Sequence, residues 1–134
     1  MPEPSSAAPR HVFVYGTLRA GGSNDIRRFS PQPAFVGPGR LRGTLYDLGA
    51  YPGAVLAGEG ELVGEVYRIE PALELALDRL EEVREDGTGE YLKRECAVAV
   101  QGVGVVACLV YEIHPSRIAG TPVLPHGDWL ARGR

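Results

Sequence analysis

Short apolar runs separated by glycine and proline constrain the fold of this chain more than any other feature. The 134 residues include 18 glycines and 11 prolines, most of which fall between these runs. Glycine and proline interrupt regular structure, and apolar runs bounded by such residues are typical of strands. The sequence therefore predicts many turns and short strands.

The run Val12–Tyr15 is the first predicted strand, and it leads directly into a loop. Its residues are β-branched or aromatic, as strands favour, and Gly16 and Thr17 follow. A glycine after a buried strand lets the main chain approach a ligand and frees the next amides to point at an anion or a polarised carbonyl. We place a ligand at Tyr15–Leu18; the alternative is that these four residues form only a tight turn.

Later runs predict further strands, with turns at Gly37–Gly39 and Tyr51–Gly53. The last two strands form a hairpin in which Val100 faces Val105, so that Cys96 opposes Leu109 and Cys108 opposes Ala97. The sulfurs then lie on different faces, and no disulfide is expected across the hairpin. The predicted strands are Arg40–Leu48, Ala54–Ala57, Leu62–Ile69, Tyr91–Val100 and Val105–Ile113.

One segment has helical periodicity. Pro71 suits a first helical turn, and the apolar residues that follow recur at helical spacing from Leu73 to Leu80. At about 100° per residue, Glu81 falls about 80° from the centre of the apolar stripe and Glu82 about 180° from it. Glu81 is therefore expected to face the core or a pocket beside it; the alternative is a surface glutamate paired with Lys or Arg. A shorter helix over 26–29 is predicted after caps at 23–25.

Composition narrows the function classes. Fourteen Lys and Arg against 17 Asp and Glu give a net charge of −3, without the basic footprint expected of nucleic-acid or anionic-membrane binding. Residues 1–10 are expected to be a disordered lead-in and 11–134 a single domain. The sequence contains no signal-peptide pattern and no long apolar run, so we expect a cytoplasmic protein that does not span a membrane. The cysteines and histidines lack metal-site spacing, and no metal is expected.

Several catalytic motifs are absent: the phosphate loop GxxxxGK[ST], the dinucleotide motif GxGxxG and the nucleophile elbow GxSxG. Glu81 and the loop at Tyr15–Leu18 remain. They suit a reaction that needs one acid/base group and one anchor for a polar substrate, with no cofactor and no covalent intermediate. Desolvation at the edge of the apolar stripe is expected to raise the pKa of the Glu81 carboxyl toward neutrality.

The order of the segments resembles the gamma-glutamylcyclotransferase-like family, also called AIG2-like. The resemblance runs from Val12 to Tyr111 and returns at Gly127–Trp129. The matching segments are Val14–Leu18, Gly43–Gly49 with Tyr51–Pro52, Val63–Tyr67, Leu77–Glu81, and Tyr91 with Lys93–Arg94.

The resemblance implies an α+β fold, a small, mostly antiparallel β-barrel with flanking helices. It implies an enzyme that closes the glutamyl part of a small γ-glutamyl amide to 5-oxoproline and releases the amine, without metal or nucleotide. The family's catalytic glutamate corresponds to Glu81. Its glutamyl-binding loop corresponds to Tyr15, Gly16, Thr17 and Leu18, and Tyr91 joins the substrate-binding residues.

Three departures from the family pattern concern the leaving-group side of the site. Glu82 stands where a glycine commonly follows the catalytic glutamate, and the loop from Glu81 to Tyr91 is longer than usual. The usual Tyr-x-Arg becomes Tyr91-Leu92-Lys93-Arg94, so either Lys93 or Arg94 fills the basic position. The leaving amine and the oligomeric state stay open. Two alternative functions are a non-catalytic binding module for a small metabolite and an amide hydrolase.

Overall fold

The computed structural model describes residues 9–84 and 87–131 of the chain. Strands dominate this part, as the short apolar runs predict. One α-helix, α1 (Pro71–Leu80), and short 3₁₀ helices at Ile26–Arg28, Pro115–Arg117 and Trp129–Ala131 accompany them. The strands are β1 (Arg10–Val14), β2 (Ala34–Arg42), β3 (Thr44–Asp47), β4 (Pro52–Val55), β5 (Glu61–Ile69), β6 (Tyr91–Val100), β7 (Gly104–Ile113) and β8 (Val123–Leu124).

Five strands close into a barrel in the order β1-β5-β2-β6-β7, and β4, β3 and β8 form a separate small sheet. Within the barrel, β1 pairs antiparallel with β5 and parallel with β7, while the other pairings are antiparallel. The predicted α+β fold with a small, mostly antiparallel barrel is confirmed.

Strand β1 is buried on both faces, which explains its unbroken apolar sequence. Val12 and Val14 belong to the core cluster that contains Leu73 and Leu77 of α1. Phe13, which points the other way, belongs to a second cluster that reaches the small sheet and the C-terminal segment. The carboxyl end of β1 is thereby held between two packed cores.

The structure corrects the predicted turn at Gly37–Gly39 and the predicted strand Arg40–Leu48. Residues 37–39 lie inside β2, where a shift in the register with β5 between Phe35 and Gly37 accommodates them. The strand predicted over 40–48 is divided at Gly43, because β2 belongs to the barrel and β3 to the small sheet. Strand β4 begins at Pro52, inside the turn predicted at Tyr51–Gly53.

The predicted register of the β6–β7 hairpin was wrong by one residue. Val100 pairs with Gly104, so Cys96 lies directly opposite Cys108 and their side chains share one face. The turn therefore contains three residues, 101–103, instead of the four predicted. Both cysteines are free thiols.

The helix predicted from Pro71 is confirmed, with Glu81 as its C-cap residue. Leu80, expected in the core, is 40% exposed because it faces a pocket. The predicted helix at 26–29 is a single 3₁₀ turn that Asp25 caps.

The C-terminal segment and the predicted N-terminal lead-in can be compared with the described ends of the chain. Trp129 is 2% exposed and anchors the C-terminal segment to the second core cluster. Of the predicted disordered lead-in, residues 1–8 lie outside the described residues, and Arg10 is the first residue of β1. No helix in the described ranges has the length and apolar character needed to cross a membrane.

Gly64 of β5 fixes the end of β1. A Cβ at this position would lie 2.1 Å from the Val14 carbonyl oxygen, a backbone atom that cannot turn aside. We expect Gly64→Ala to lower the free energy of unfolding by about 1–3 kcal/mol, measured by urea denaturation. Gly39→Ala in β2 is the control, because the nearest atoms to its Cβ are side-chain carbons at 3.1 Å or more. An equal loss in both variants would contradict the role given to Gly64.

Candidate active site

A pocket of about 220 Å³ lies where β1 ends. The predicted site residues all line it: Glu81 and Tyr91 together with the loop Tyr15–Leu18. The fold therefore brings together residues that are 76 positions apart between Tyr15 and Tyr91. Among the described residues, the lining is formed by Phe13, Val14, Tyr15, Gly16, Thr17, Leu18, Asn24, Tyr51, Pro52, Leu80, Glu81, Glu90, Tyr91 and Tyr111.

Hydrogen bonds accepted by its own carbonyl groups stabilise the loop after β1. The Arg19 amide donates to the Gly16 carbonyl at 3.0 Å, and the Asn24 amide donates to the Thr17 carbonyl at 2.9 Å. The Ile26 amide donates to the Leu18 carbonyl, also at 2.9 Å. The loop is therefore fixed before any ligand arrives.

The backbone N–H groups of the same loop differ from its carbonyl groups in their hydrogen bonding. Within residues 9–84 and 87–131, the N–H groups of Gly16, Thr17 and Leu18 donate to no protein acceptor. Successive unpaired N–H groups form a site suited to a carboxylate or an oxyanion. This arrangement agrees with the prediction that the glycine frees the amides that follow it.

Gly16 itself is required by packing. A Cβ here would lie 2.6 Å from the Pro52 side chain, so the missing side chain lets the loop approach β4. Pro52 also lines the pocket. Glycine at this position thus sets the width of the pocket.

Arg19 ties the loop to the rest of the fold. Its guanidinium forms ion pairs with Glu65 of β5 and with Asp128 near the C-terminal end, each at 2.6 Å. The amide of Ala20 also donates to Glu65, at 2.9 Å. Two carboxylates from distant parts of the sequence therefore orient the residue that follows Leu18.

Tyr15 and Tyr91 line the pocket with their hydroxyl groups already engaged. The Tyr15 hydroxyl donates to the Tyr111 carbonyl at 2.5 Å and accepts from the Ala54 amide at 3.1 Å. The Tyr91 hydroxyl donates to the Pro52 carbonyl at 2.6 Å. Burial raises the pKa of both phenols, so they stay neutral. Their contribution to the pocket is shape and position.

Glu81 lies at the end of α1, where its amide donates to the Leu77 carbonyl at 2.9 Å. Its side chain is partly buried, lines the pocket and forms no ion pair with any described Lys, Arg or His. Burial, with a smaller effect of the nearby Glu90 carboxylate, raises its pKa to about 7. The prediction that the pKa of this carboxyl is raised by desolvation agrees with this environment.

Sequence reasoning missed the pair formed by Tyr51 and Glu90. The Tyr51 hydroxyl donates a short hydrogen bond to the Glu90 carboxylate, and both residues line the pocket. They are 39 residues apart, and both were assigned to loops. Tyr51 directly precedes β4 of the small sheet and Glu90 directly precedes β6 of the barrel, so only the packing of the sheet against the barrel brings them together and no local pattern identifies them.

Lys93 and Arg94, the candidates for the family's basic position, both lie outside the pocket lining. Lys93 forms ion pairs with Glu74 and Asp78 of α1 at 2.7 and 2.8 Å. Asp78 in turn accepts from the hydroxyl of Tyr111, a pocket residue, at 2.7 Å. Arg94 instead pairs with Glu112. Of the two, Lys93 is the residue connected to the site.

Comparison with known proteins establishes the family. The family model described as gamma-glutamyl cyclotransferase, AIG2-like, matches residues 12–131. A gamma-glutamylcyclotransferase family protein of Escherichia coli K12, YtfP, is 36% identical over 124 residues, which cover 92% of this chain and 98% of that protein. This chain belongs to the gamma-glutamylcyclotransferase, AIG2-like family.

Two further proteins are similar to the chain. A putative gamma-glutamylcyclotransferase of Vibrio cholerae is 41% identical over 80 residues, which cover 54% of this chain and 62% of that protein. An AIG2-like protein of Mus musculus, known from its crystal structure, superposes with a TM-score of 0.72 at 26% identity. That superposition covers 92% of this chain and 95% of the mouse chain.

The raised pKa of Glu81 has a consequence for stability. A carboxyl group with a pKa of about 7 in the folded state and about 4.5 in the unfolded state favours folding at low pH, and this contribution is lost as the pH rises through 7. We therefore expect Glu81→Gln, which cannot ionise, to unfold with the same free energy as the wild type near pH 4. Near pH 8 it is expected to be more stable by about 1–3 kcal/mol.

Urea denaturation at the two pH values tests this. Glu82→Gln is the control, because the neighbouring Glu82 side chain is exposed and loses little hydration on folding. A stability difference for Glu81→Gln that is the same at pH 4 and pH 8 would contradict the burial of an ionisable group at this position.

Proposed function

We propose that this protein releases an amine or amino acid from a γ-glutamyl amide by closing the glutamyl part to 5-oxoproline, with Glu81 as general acid and base. One observation carries the proposal: the partly buried Glu81 carboxyl and the unpaired amides of Gly16–Leu18 line the same pocket. Family membership supports the reaction class.

The first step removes a proton from the substrate. Glu81, with its pKa of about 7, is half ionised at neutral pH and accepts a proton from the α-ammonium group. The freed amine then attacks the γ-carbonyl carbon of the same molecule and forms a new C–N bond. Because nucleophile and target belong to one substrate, holding it curled can lower the barrier by up to ~7–11 kcal/mol.

The second step breaks the amide bond. Attack places negative charge on the carbonyl oxygen, and donors from the loop Gly16–Leu18 stabilise it. Protonated Glu81 then returns its proton to the departing nitrogen, so the C–N bond to the amine breaks and Glu81 regains its starting state. The new ring nitrogen still carries two hydrogens after the attack and gives one proton to solvent, which leaves 5-oxoproline with a single N–H. A pKa close to the working pH favours both transfers.

The remaining residues of the predicted site hold the glutamyl group. In this proposal, Tyr15, Gly16, Thr17 and Leu18 bind it along one wall, and the Tyr91 ring closes the opposite wall. The fixed hydroxyl hydrogen bonds of Tyr15 and Tyr91 keep both rings in place before the substrate enters.

Replacement of Glu81 tests the mechanism directly. We expect Glu81→Gln to lower 5-oxoproline release from a mixed panel of γ-glutamyl amides at least roughly 100-fold, because the amide cannot exchange protons. The product is identified by mass spectrometry, and circular dichroism verifies folding. Glu82→Gln, the exposed neighbour, is expected to keep its activity.

Three outcomes of this experiment would contradict the proposal. Undiminished activity in Glu81→Gln would remove the proposed mechanism. Glutamate as the product would assign the protein as an amide hydrolase. Binding of panel members by calorimetry without any turnover would instead support a binding module.

The pH dependence gives a second test. Because Glu81 must be ionised to accept the first proton, we expect kcat/KM to fall as the pH drops below an apparent pKa of about 7. Steady-state rates from pH 5 to 9 measure this limb. A profile that is flat between pH 5 and 8 would exclude Glu81 as the base.

A further inference from the structure

Three carboxylates lie in one row along α1. Glu74, Asp78 and Glu81 follow each other at spacings of four and three residues, which places them on the same side of the helix. Lys93 of β6 forms ion pairs with the first two, at 2.7 Å to Glu74 and 2.8 Å to Asp78. Glu81 has no such partner among the described cations. The row therefore contains two carboxylates that a lysine fixes and a third that can exchange a proton.

Asp78 uses both of its carboxylate oxygens. Its Oδ2 accepts from the Lys93 ammonium at 2.8 Å, and its Oδ1 accepts from the Tyr111 hydroxyl at 2.7 Å. Lys93 and Tyr111 lie directly opposite each other on β6 and β7, so one carboxylate on α1 holds a side chain from each strand. The Asp78 side chain is 21% exposed, so water competes little for these contacts. Asp78 thus fixes the direction of the Tyr111 hydroxyl.

Tyr111 is also part of the pocket, and its phenol lies near Glu81. It lines the pocket together with Glu81, and its carbonyl accepts from the Tyr15 hydroxyl. Burial raises the pKa of the Tyr111 phenol most, the hydrogen bond to Asp78 and the Asp78 charge add to this, and the Glu81 charge contributes further. Glu81 is therefore close enough for its charge to act on the hydroxyl that Asp78 holds.

The ionisable groups of the pocket leave the Glu81 carboxyl without a hydrogen-bond donor. In the lining, these groups are the Glu90 carboxylate, which precedes β6, and the phenols of Tyr15, Tyr51, Tyr91 and Tyr111. Each of the four phenols donates to another acceptor: the Tyr111 carbonyl, the Glu90 carboxylate, the Pro52 carbonyl and the Asp78 carboxylate, respectively. Burial, with a smaller effect of Glu90, then raises the pKa of Glu81 to about 7.

A phenol that donated to Glu81 would change its chemistry. A hydrogen bond to the ionised form of a carboxyl stabilises that form and lowers the pKa. Glu81 would then be a weaker base, and near neutral pH it would rarely hold the proton that the departing amine needs. The proposed reaction therefore requires that the nearby Tyr111 hydroxyl be bound elsewhere.

We propose that Asp78 is a positioning residue for Glu81: it binds the Tyr111 hydroxyl and so keeps that donor away from the Glu81 carboxyl. This inference rests on the proposed function, since it assigns to Asp78 the task of preserving Glu81 as an acid and base. Lys93 supports the same role, because its ion pair fixes the carboxylate that accepts from Tyr111.

Replacement of Asp78 releases the Tyr111 hydroxyl and so tests the inference. In Asp78→Ala, we expect the pKa of the Glu81 carboxyl to fall by at least about 1, because the released hydroxyl donates to the ionised form. A ¹³C NMR titration of the glutamate carboxyl carbons measures this value, and the spectrum of Glu81→Gln assigns the signal. The acidic limb of kcat/KM is expected to move to lower pH by the same amount.

Three further variants separate the hydrogen bond from the charge of Asp78. Asp78→Asn removes the same charge but keeps a carbonyl oxygen for Tyr111, and it is expected to lower the pKa of Glu81 less than half as much as Asp78→Ala. Tyr111→Phe is expected to leave this pKa unchanged, because its hydroxyl does not contact Glu81 in the wild type. The double variant with Asp78→Ala and Tyr111→Phe is expected to return the pKa of Glu81 close to the wild-type value.

Several outcomes would overturn the inference. One is a wild-type pKa of Glu81 in Asp78→Ala, and another is an undiminished fall in the double variant, because the effect would then come from the lost charge alone. A raised pKa in Tyr111→Phe would show that the hydroxyl already binds Glu81, and this variant decides the matter if Asp78→Ala does not fold. Absence of 5-oxoproline from the wild type would instead overturn the proposed function, while the NMR titration would still show whether Asp78 controls the hydroxyl.

Discussion

The pairing of β1 with strands on both of its sides is the constraint on which the rest of the structure depends. The five residues of β1 lie between β5 and β7 and so close the barrel. Strand β1 pairs antiparallel with β5 and parallel with β7. Closure leaves β1 without a free edge, and two apolar cores bury its faces. The chain therefore leaves β1 at a fixed point, and the loop with its unpaired amides follows a strand whose last three residues are buried.

Electrostatics in the pocket follow from the same packing. Three of the lining tyrosines, Tyr15, Tyr91 and Tyr111, direct their hydroxyl groups away from the pocket centre to the Tyr111 carbonyl, the Pro52 carbonyl and the Asp78 carboxylate. Glu81 is left among neutral rings without a described cationic partner, so its carboxyl holds a proton up to about pH 7. Rigid aromatic walls thus account for both the shape of the pocket and the proton affinity of its acid.

Local sequence patterns predicted those features that depend on local physics. Helical periodicity distinguished Glu81 from Glu82, and the apolar run before Gly16 located the loop that lines the pocket. Contacts and strand registers between residues far apart in the chain could not be predicted from the sequence. The hairpin register depends on one residue in a turn, and β2 continues through Gly37–Gly39 because β5 supplies pairing partners. Tyr51 and Glu90 meet only because the small sheet packs against the barrel, so their contact had no signature along the chain.

The ion pairs of Arg19 extend the site beyond its lining. A single guanidinium bridges Glu65 and Asp128, which is 109 residues away in sequence, while the preceding residue, Leu18, lines the pocket. Trp129, the residue after Asp128, is buried and so fixes the position of Asp128 on the protein. Loss of the Asp128 carboxylate therefore alters the pocket remotely, by loosening the loop that carries the unpaired N–H groups, because Asp128 itself lies outside the pocket lining.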